Sequence, residues 1–317
     1  MSVSRIWRLV LASWLVLMLA ACSPTRLHAL WGATEARWHG FEPAELALPD
    51  GRLAYREGGS GPAVLLIHGF GANGLASWKA PMLDLVRDHR VLVPDLLWFG
   101  DSVSGRTPSL DAQADALQAL LAARGIRQVE LVGISYGGFV AVELARRLPQ
   151  VVSRLVIVNS PGPVYTPADL QALLQRADAA SPAALFVPQD TAGMRRLVRM
   201  VSSKTDDVPD WILDDVRETY LAGREPALYH LMDDLLVNMD GYLPRYTGMS
   251  WPDTRLVWSE GDRVFPLAIG ERLAQRLGVP LIRVPAAGHN LPVDRPEQAV
   301  TALRKALGDN LQGSWPW

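Results

Sequence analysis

The stretch Val129-Glu130-Leu131-Val132-Gly133-Ile134-Ser135-Tyr136-Gly137-Gly138 decides how this chain is read. Its first part, Val129 to Ile134, is a short apolar run ending at Ser135, the pattern of a strand buried on both faces. Its second half opens a helical pattern that runs to residue 148. Between the two stands Ser135, two residues after Gly133 and two before Gly137. A serine held on a sharp strand-to-helix turn needs glycines at those offsets, because side chains there collide with neighbouring backbone. The helix that follows aims its first amides and the positive end of its dipole at the turn. A tight turn with an incidental serine has the same five-residue pattern. The placement between strand and helix is what an exposed nucleophile requires.

Outward from this turn the pattern repeats. Apolar runs at 63–67, 90–94, 155–158, 255–258 and 281–284 run into His68-Gly69, Asp95, Asn159, Glu260-Gly261-Asp262 and, after a short gap, Gly288-His289. Helical periods fall at 75–88, 109–124, 136–148 and 296–307. Upstream, Pro49-Asp50-Gly51 separates 45–48 from 52–56 and reads as strand, turn, strand. Strands alternating with helices predict a parallel sheet covered on both faces, with its chemistry at the carboxyl ends of the strands. Residues 22–44 show no clean period and read as a tether and lead-in. The rhythm breaks between Asn159 and Arg255, too long an interval for a structureless loop. Helical candidates at 167–179, 193–201, 210–221 and 226–238 make it a cap, 161–249, inserted into a core of 45–160 and 250–317. Its Trp211, Tyr220, Tyr229, Tyr242, Tyr246 and methionines either line an apolar pocket or form the cap's own core.

A serine hydroxyl is a weak nucleophile until a base takes its proton. Of six histidines, His28 and His39 lie in the lead-in, His89 ends a helix and His230 lies in the cap. His68 belongs to an early loop and reads as structural. His289, late in the chain after the last strand, is the candidate base. The base needs a carboxylate to orient it and to stabilise its cation. Asp262 follows a strand and precedes His289, whereas the rival strand end carries Asn159, a poor acid. Asp253 and Asp294 read as surface residues. Negative charge on a reacting carbonyl oxygen calls for two backbone amides, and those of Tyr136 and Phe70 are the candidates. Phe70 also reads as an apolar wall residue.

The chain has 317 residues, with 31 Lys and Arg against 33 Asp and Glu. Without a basic excess, nothing points to nucleic acid. Arg5 and Arg8 precede an apolar run at 9–21, broken only by Ser13, which reads as an export signal spanning 1–21. Leu19-Ala20-Ala21-Cys22 resembles the bacterial lipobox, in which the cysteine is lipidated and becomes the new N-terminus. Cys22 is the chain's one cysteine, so no internal disulfide competes for it. An ordinary cleaved signal and an uncleaved anchor are the alternatives. The expected address is the bacterial cell envelope, lipid-anchored, at the outer membrane facing the periplasm.

Taken together, these motifs resemble the α/β-hydrolase superfamily over about 45–307. His68-Gly69-Phe70-Gly71 fits its oxyanion loop, and Gly261-Asp262-Arg263-Val264-Phe265-Pro266 resembles its acid loop. The chain is most similar to capped esterases and meta-cleavage-product hydrolases. One departure stands out. Where the family often has D-x-P-G-x-G-x-S, this chain has Asp95-Leu96-Leu97-Trp98-Phe99-Gly100-Asp101-Ser102, so Trp98 and Phe99 either shape the pocket wall or only pack. The resemblance implies a mostly parallel eight-stranded sheet, and Ser135 in place of a nucleophilic Asp argues against dehalogenases and epoxide hydrolases. It further implies an esterase acting on a small ester-like molecule without metal or organic cofactor. Carbon–carbon hydrolase, thioesterase, lactonase and cofactor-free perhydrolase chemistry would use the same residues. A non-catalytic surface lipoprotein on a borrowed fold is the reading from another class.

Overall fold

Alternating Leu and Val residues build a sheet with two apolar faces. The computed structural model describes residues 23–204, 208–237 and 239–309. The expected signal at 1–21 and Cys22 lie outside the described residues. The strands are β1 (Glu42–Leu48), β2 (Gly51–Gly58), β3 (Ala63–Ile67), β4 (Arg90–Pro94), β5 (Val103–Ser104), β6 (Val129–Ile134), β7 (Val152–Val158), β8 (Asp253–Ser259) and β9 (Leu281–Val284). Their order is β1-β2-β4-β3-β6-β7-β8-β9, with β5 paired to β2. β2 runs antiparallel to β1, β4 and β5, and every other pairing is parallel. The sheet is therefore nine-stranded rather than eight-stranded. The extra strand is the two-residue β5, too short to leave a hydrophobic period.

Successive strand residues face opposite layers. Leu65, Ile67, Leu131, Leu155, Ile157 and Leu256 pack on one face, with α3 (Leu110–Ala123) and α4 (Tyr136–Arg147). Val64, Leu66, Val132, Val156, Val158 and Val257 pack on the other, with α1 (Pro24–Trp38), α2 (Gly74–Leu85) and α13 (Pro296–Leu307). Burying each such side chain contributes about 1.5–3 kcal/mol. Because both faces are covered, these strands read as unbroken apolar runs. α11 (Leu267–Leu277) and the short α12 (Leu291–Asp294) complete the core helices.

Helix α1 corrects the expectation of a tether at 22–44. It turns Gly32 and Ala36 inward while Leu30, Trp31 and Trp38 stay exposed, so its large apolar residues mark no core-facing period. Glu35 pairs with Lys79 of α2 at 3.0 Å.

Between β7 and β8 lie α5 (Pro167–Ala177), α6 (Pro182–Phe186), α7 (Thr191–Val201), α8 (Asp210–Tyr220), α9 (Glu225–Val237) and α10 (Met239–Tyr242). Thr166 and Asp169 cap α5 reciprocally. Polar bonds dock this segment on α3 and α4. Arg245 bonds Asp111 at 2.9 Å, Asp234 accepts from the Leu110 amide at 2.8 Å and from the Tyr242 hydroxyl at 2.7 Å, and the Tyr246 hydroxyl donates to Glu143 at 3.3 Å. Tyr242 and Tyr246 thus serve docking, and Trp211 is exposed.

Candidate active site

Ser135 sits between β6 and α4 with φ 54 and ψ −121, a strained conformation for a residue bearing a Cβ. The packing shows why its neighbours are glycines. A Cβ on Gly133 would meet the Gly137 carbonyl oxygen at 2.3 Å, and one on Gly137 would meet the Ile67 carbonyl oxygen at 2.3 Å. The strand end, the helix start and the loop after β3 are therefore pressed together around the serine.

His289 Nε2 lies 2.8 Å from Ser135 Oγ, and His289 Nδ1 lies 2.8 Å from Asp262 Oδ2. A carboxylate accepts, so Nδ1 carries the proton and Nε2 faces the serine hydroxyl as acceptor. The other Asp262 oxygen accepts the Val264 and Phe265 amides, each at 2.8 Å. Both carboxylate oxygens are thereby oriented. The Phe265 ring stands edge-on to the His289 ring at 5.4 Å. The three residues come from the ends of β6 and β8 and the loop after β9, which parallel pairing through β7 brings to one edge of the sheet.

Residues outside this chain of bonds hold it in place. Asn159, at the strand end judged unsuited to an acid, donates to the His289 carbonyl at 2.7 Å and to Ser259 Oγ at 2.9 Å. Its carbonyl accepts the Ser259 amide at 2.8 Å. Asp294, read from sequence as a surface residue, is 3 % exposed. It accepts from Ser202 Oγ, the Ser203 amide and the Gly288 amide at 2.7, 2.7 and 3.1 Å. It thus joins the His289 loop to the chain leaving α7. Neither role left a signal in the sequence, because each depends on at least one partner about 90 or more positions away.

Near the other wall, His68 is fully buried, and burial holds its pKa down at about 4 against the smaller upward pull of the Gly69 carbonyl. Its Nδ1 donates to Gly69 O at 2.7 Å and its Nε2 accepts the Leu96 amide at 2.8 Å, a structural role. Asp95, pushed up by burial, accepts the Gly74 and Asp101 amides at 2.9 and 3.0 Å. Trp98 takes φ 68 where the resembling pattern has glycine, and its indole donates to Ser104 O at 3.1 Å. Phe99 is wholly buried against His68 and Phe70. Neither residue lines the pocket described next.

A narrow apolar pocket opens on Ser135. Phe70, Tyr136 and Phe139 line it from the core, with Leu173, Phe186, Met232 and Leu235 from the helical segment. No charged side chain is among its lining residues. Of the aromatics singled out in the cap, none lines it. Phe70 and Tyr136 flank Ser135 with ring centroids 6.0 Å apart, and a Cβ on Gly69 would touch Ser135 Cβ at 3.3 Å. Among the described residues no cluster of three or more His, Cys, Asp or Glu side chains is placed to hold a metal ion.

Comparison with known proteins agrees with this architecture. The chain is similar to a pimeloyl-[acyl-carrier protein] methyl ester esterase of Aromatoleum aromaticum, 31% identical over 78% of this chain and 98% of that one. It is also similar to a 2-hydroxymuconate semialdehyde hydrolase of Pseudomonas sp., 36% identical over 35% of this chain and 41% of the relative. The chain spans only 33% of the length of the first curated relatives it matches, which are mycobacterial proteins of uncharacterized function. A crystal structure of a membrane phospholipase A superposes with a TM-score of 0.73 at 25% identity, covering 95% of this chain and 98% of that one. A family model described as alpha/beta hydrolase fold matches residues 62–296, and the chain belongs to that family.

Proposed function

We propose that the protein is a serine hydrolase that cleaves carboxylic esters of small or medium apolar acyl groups through an acyl-enzyme. The observation that carries this reading is an uncharged, apolar pocket opening on a serine whose Oγ lies 2.8 Å from a carboxylate-backed imidazole. Ser135 Oγ attacks the ester carbonyl while His289 Nε2 takes its proton. Asp262 stabilises the resulting imidazolium and holds its Nδ1–H. The amides of Phe70 and Tyr136 receive the developing oxyanion, a contribution of about 3–4 kcal/mol for a single donor. His289 then returns the proton to the leaving alcohol. Water, activated by the same imidazole, attacks the acyl-enzyme and frees the acid.

Carbon–carbon hydrolysis would use the same three residues. A muconate semialdehyde keeps a carboxylate, and burying it without a cation or dense hydrogen bonding is costly. The lining residues offer no cation, which favours the uncharged ester. The apolar run at 9–21 and the lipobox-like Leu19 to Cys22 further support an exported, lipid-anchored protein of the bacterial envelope.

A fluorophosphonate probe tests the catalytic reading. Labelling of the wild type that disappears in Ser135→Ala is expected. Absence of labelling in the wild type, or equal labelling of both, would return the protein to the class of non-catalytic binding proteins. Among p-nitrophenyl esters, rates are expected to rise with acyl length and then fall when the chain outgrows the pocket.

A further inference from the structure

Helix α1 is built the wrong way round for a helix that only packs on a core. At about 100° per residue, Ala29, Gly32, Ala33 and Ala36 share one side, and Gly32 and Ala36 are buried there. Leu27, Leu30, Trp31 and Trp38 share the opposite side and are 42%, 65%, 58% and 71% exposed. Trp31 and Trp38 meet edge to face at 5.7 Å, forming an aromatic ridge in the open. Arg26 and Arg37 border one side of the apolar stripe, and His28 and His39 border the other. The protein-facing side rests on α2 in ordinary van der Waals contact. A Cβ on Gly32 would sit 3.6 Å from Lys79 and 3.7 Å from Leu75. Thr25 N donates to Asp215 Oδ2 of α8 at 2.8 Å. Trp211, one turn before Asp215 on α8, is also exposed, at 60%.

We infer that this face of α1 lies in the interface of a lipid bilayer. Tryptophan and leucine on one side of a helix, with cations along its border, match the interfacial layer, where indole is solvated at its polar edge and buried at the rest. The chain itself delivers the helix there. The apolar run at 9–21 ends just before α1 begins at Pro24. If that run is cut before Cys22, the lipidated residue stands two positions from the helix, at most about 7 Å away. If it is retained, the run itself enters the membrane. Both fates leave the Leu-Trp face against lipid, and α1 then braces the core helix α2 and the cap helix α8 on the membrane surface.

The test uses the full chain in vesicles of phosphatidylcholine with a minority of phosphatidylglycerol, their acyl chains brominated near the glycerol end. Wild type is compared with Trp31→Phe/Trp38→Phe, which keeps the apolar face and removes two of eleven tryptophans. The emission difference between them isolates Trp31 and Trp38 from Trp7 and Trp14 upstream. Quenching of that difference signal at least twofold by bromine is expected. An unquenched, red emission would place the two indoles in water and overturn the inference. An unquenched but blue, concentration-dependent emission would assign the face to a second copy of the chain and overturn it equally. The readout is independent of catalysis, so it stands apart from the hydrolase reading.

Discussion

The side-chain amide of Asn159 donates to the backbone carbonyl of His289 at 2.7 Å, while its own carbonyl accepts the Ser259 amide at 2.8 Å. One residue at the end of β7 thereby ties the strand leading to Asp262 to the loop bearing His289. Asn159→Ala leaves the His289 carbonyl and the Ser259 amide unpartnered in a buried place, costing about 1–3 kcal/mol of stability for each group left unsatisfied. Ester turnover is expected to fall about 10-fold or more through a lower kcat, since small misplacements of a base are costly. Asn159→Asp keeps the acceptor, loses the donor and is expected to remain impaired. Steady-state kinetics and urea unfolding of both variants check this.

Asp262 accepts two amides through one oxygen and His289 through the other. Asp262→Asn preserves the shape and presents an amide that favours the wrong histidine tautomer. A fall in kcat of about 10⁴ is expected by analogy with other triads, with KM nearly unchanged. A variant that keeps more than a tenth of wild-type kcat would show that another group orients the base.

Asp294 joins Ser202 and Ser203, just past α7, to Gly288 beside the base. Asp294→Ala removes a buried carboxylate with three donors. Loss of about 2–4 kcal/mol of stability is expected on the magnitude of charge-assisted bonds, together with reduced kcat. Asp294→Asn retains part of the bonding and is expected to fall between the two. Thermal melts followed alongside ester turnover separate the effects.

His68 carries a pH dependence of stability. Burial keeps the folded ring neutral down to about 4, against 6.5 as the ordinary value. The unfolded chain binds the proton first as pH falls. The stability owed to the neutral ring is therefore complete above about 6.5 and is lost progressively from there to about 4, at about 1.4 kcal/mol per pH unit. His68→Gln is expected to be less stable at neutral pH yet to show a flatter decline across that window. Urea midpoints measured between these limits for both proteins test the sign. Parallel curves would exclude His68 as the source.

The pocket's far wall comes from Leu173, Phe186, Met232 and Leu235. Leu173→Trp should shorten the preferred acyl chain, raising KM for long esters while leaving turnover of an acetate ester within about twofold, because steric exclusion acts on the chain and not on the reacting carbonyl. A panel of p-nitrophenyl esters reads this directly.

Much of the core was legible because its signals are local. The runs at 63–67, 90–94, 129–134 and 281–284 carry enough apolar residues to define strands β3, β4, β6 and β9 to the residue. The glycines around Ser135 are imposed by contacts within a few residues of the turn and with one neighbouring strand. Helix α1 escaped, because its large apolar residues face outward and its buried side is made of glycine and alanine, which carry almost no hydrophobic signal. Strand β5 escaped because two residues have no period.

By itself the sequence determined the alternation of strands and helices, the strained serine turn and the chain order Ser135, Asp262, His289. Those are consequences of side-chain size and spacing along the chain. Only the tertiary structure decided that Asn159 and Asp294 brace the His289 loop, that Trp98 and Phe99 pack rather than line the pocket, and that Tyr242 and Tyr246 serve to dock the helical segment on the core. A hydrogen bond across about 90 or more positions, such as Asp294 to Ser202 or Asn159 to His289, is set by how strands pair and helices stack. No local propensity encodes it, because either partner alone is an ordinary polar residue until the fold brings the other within reach.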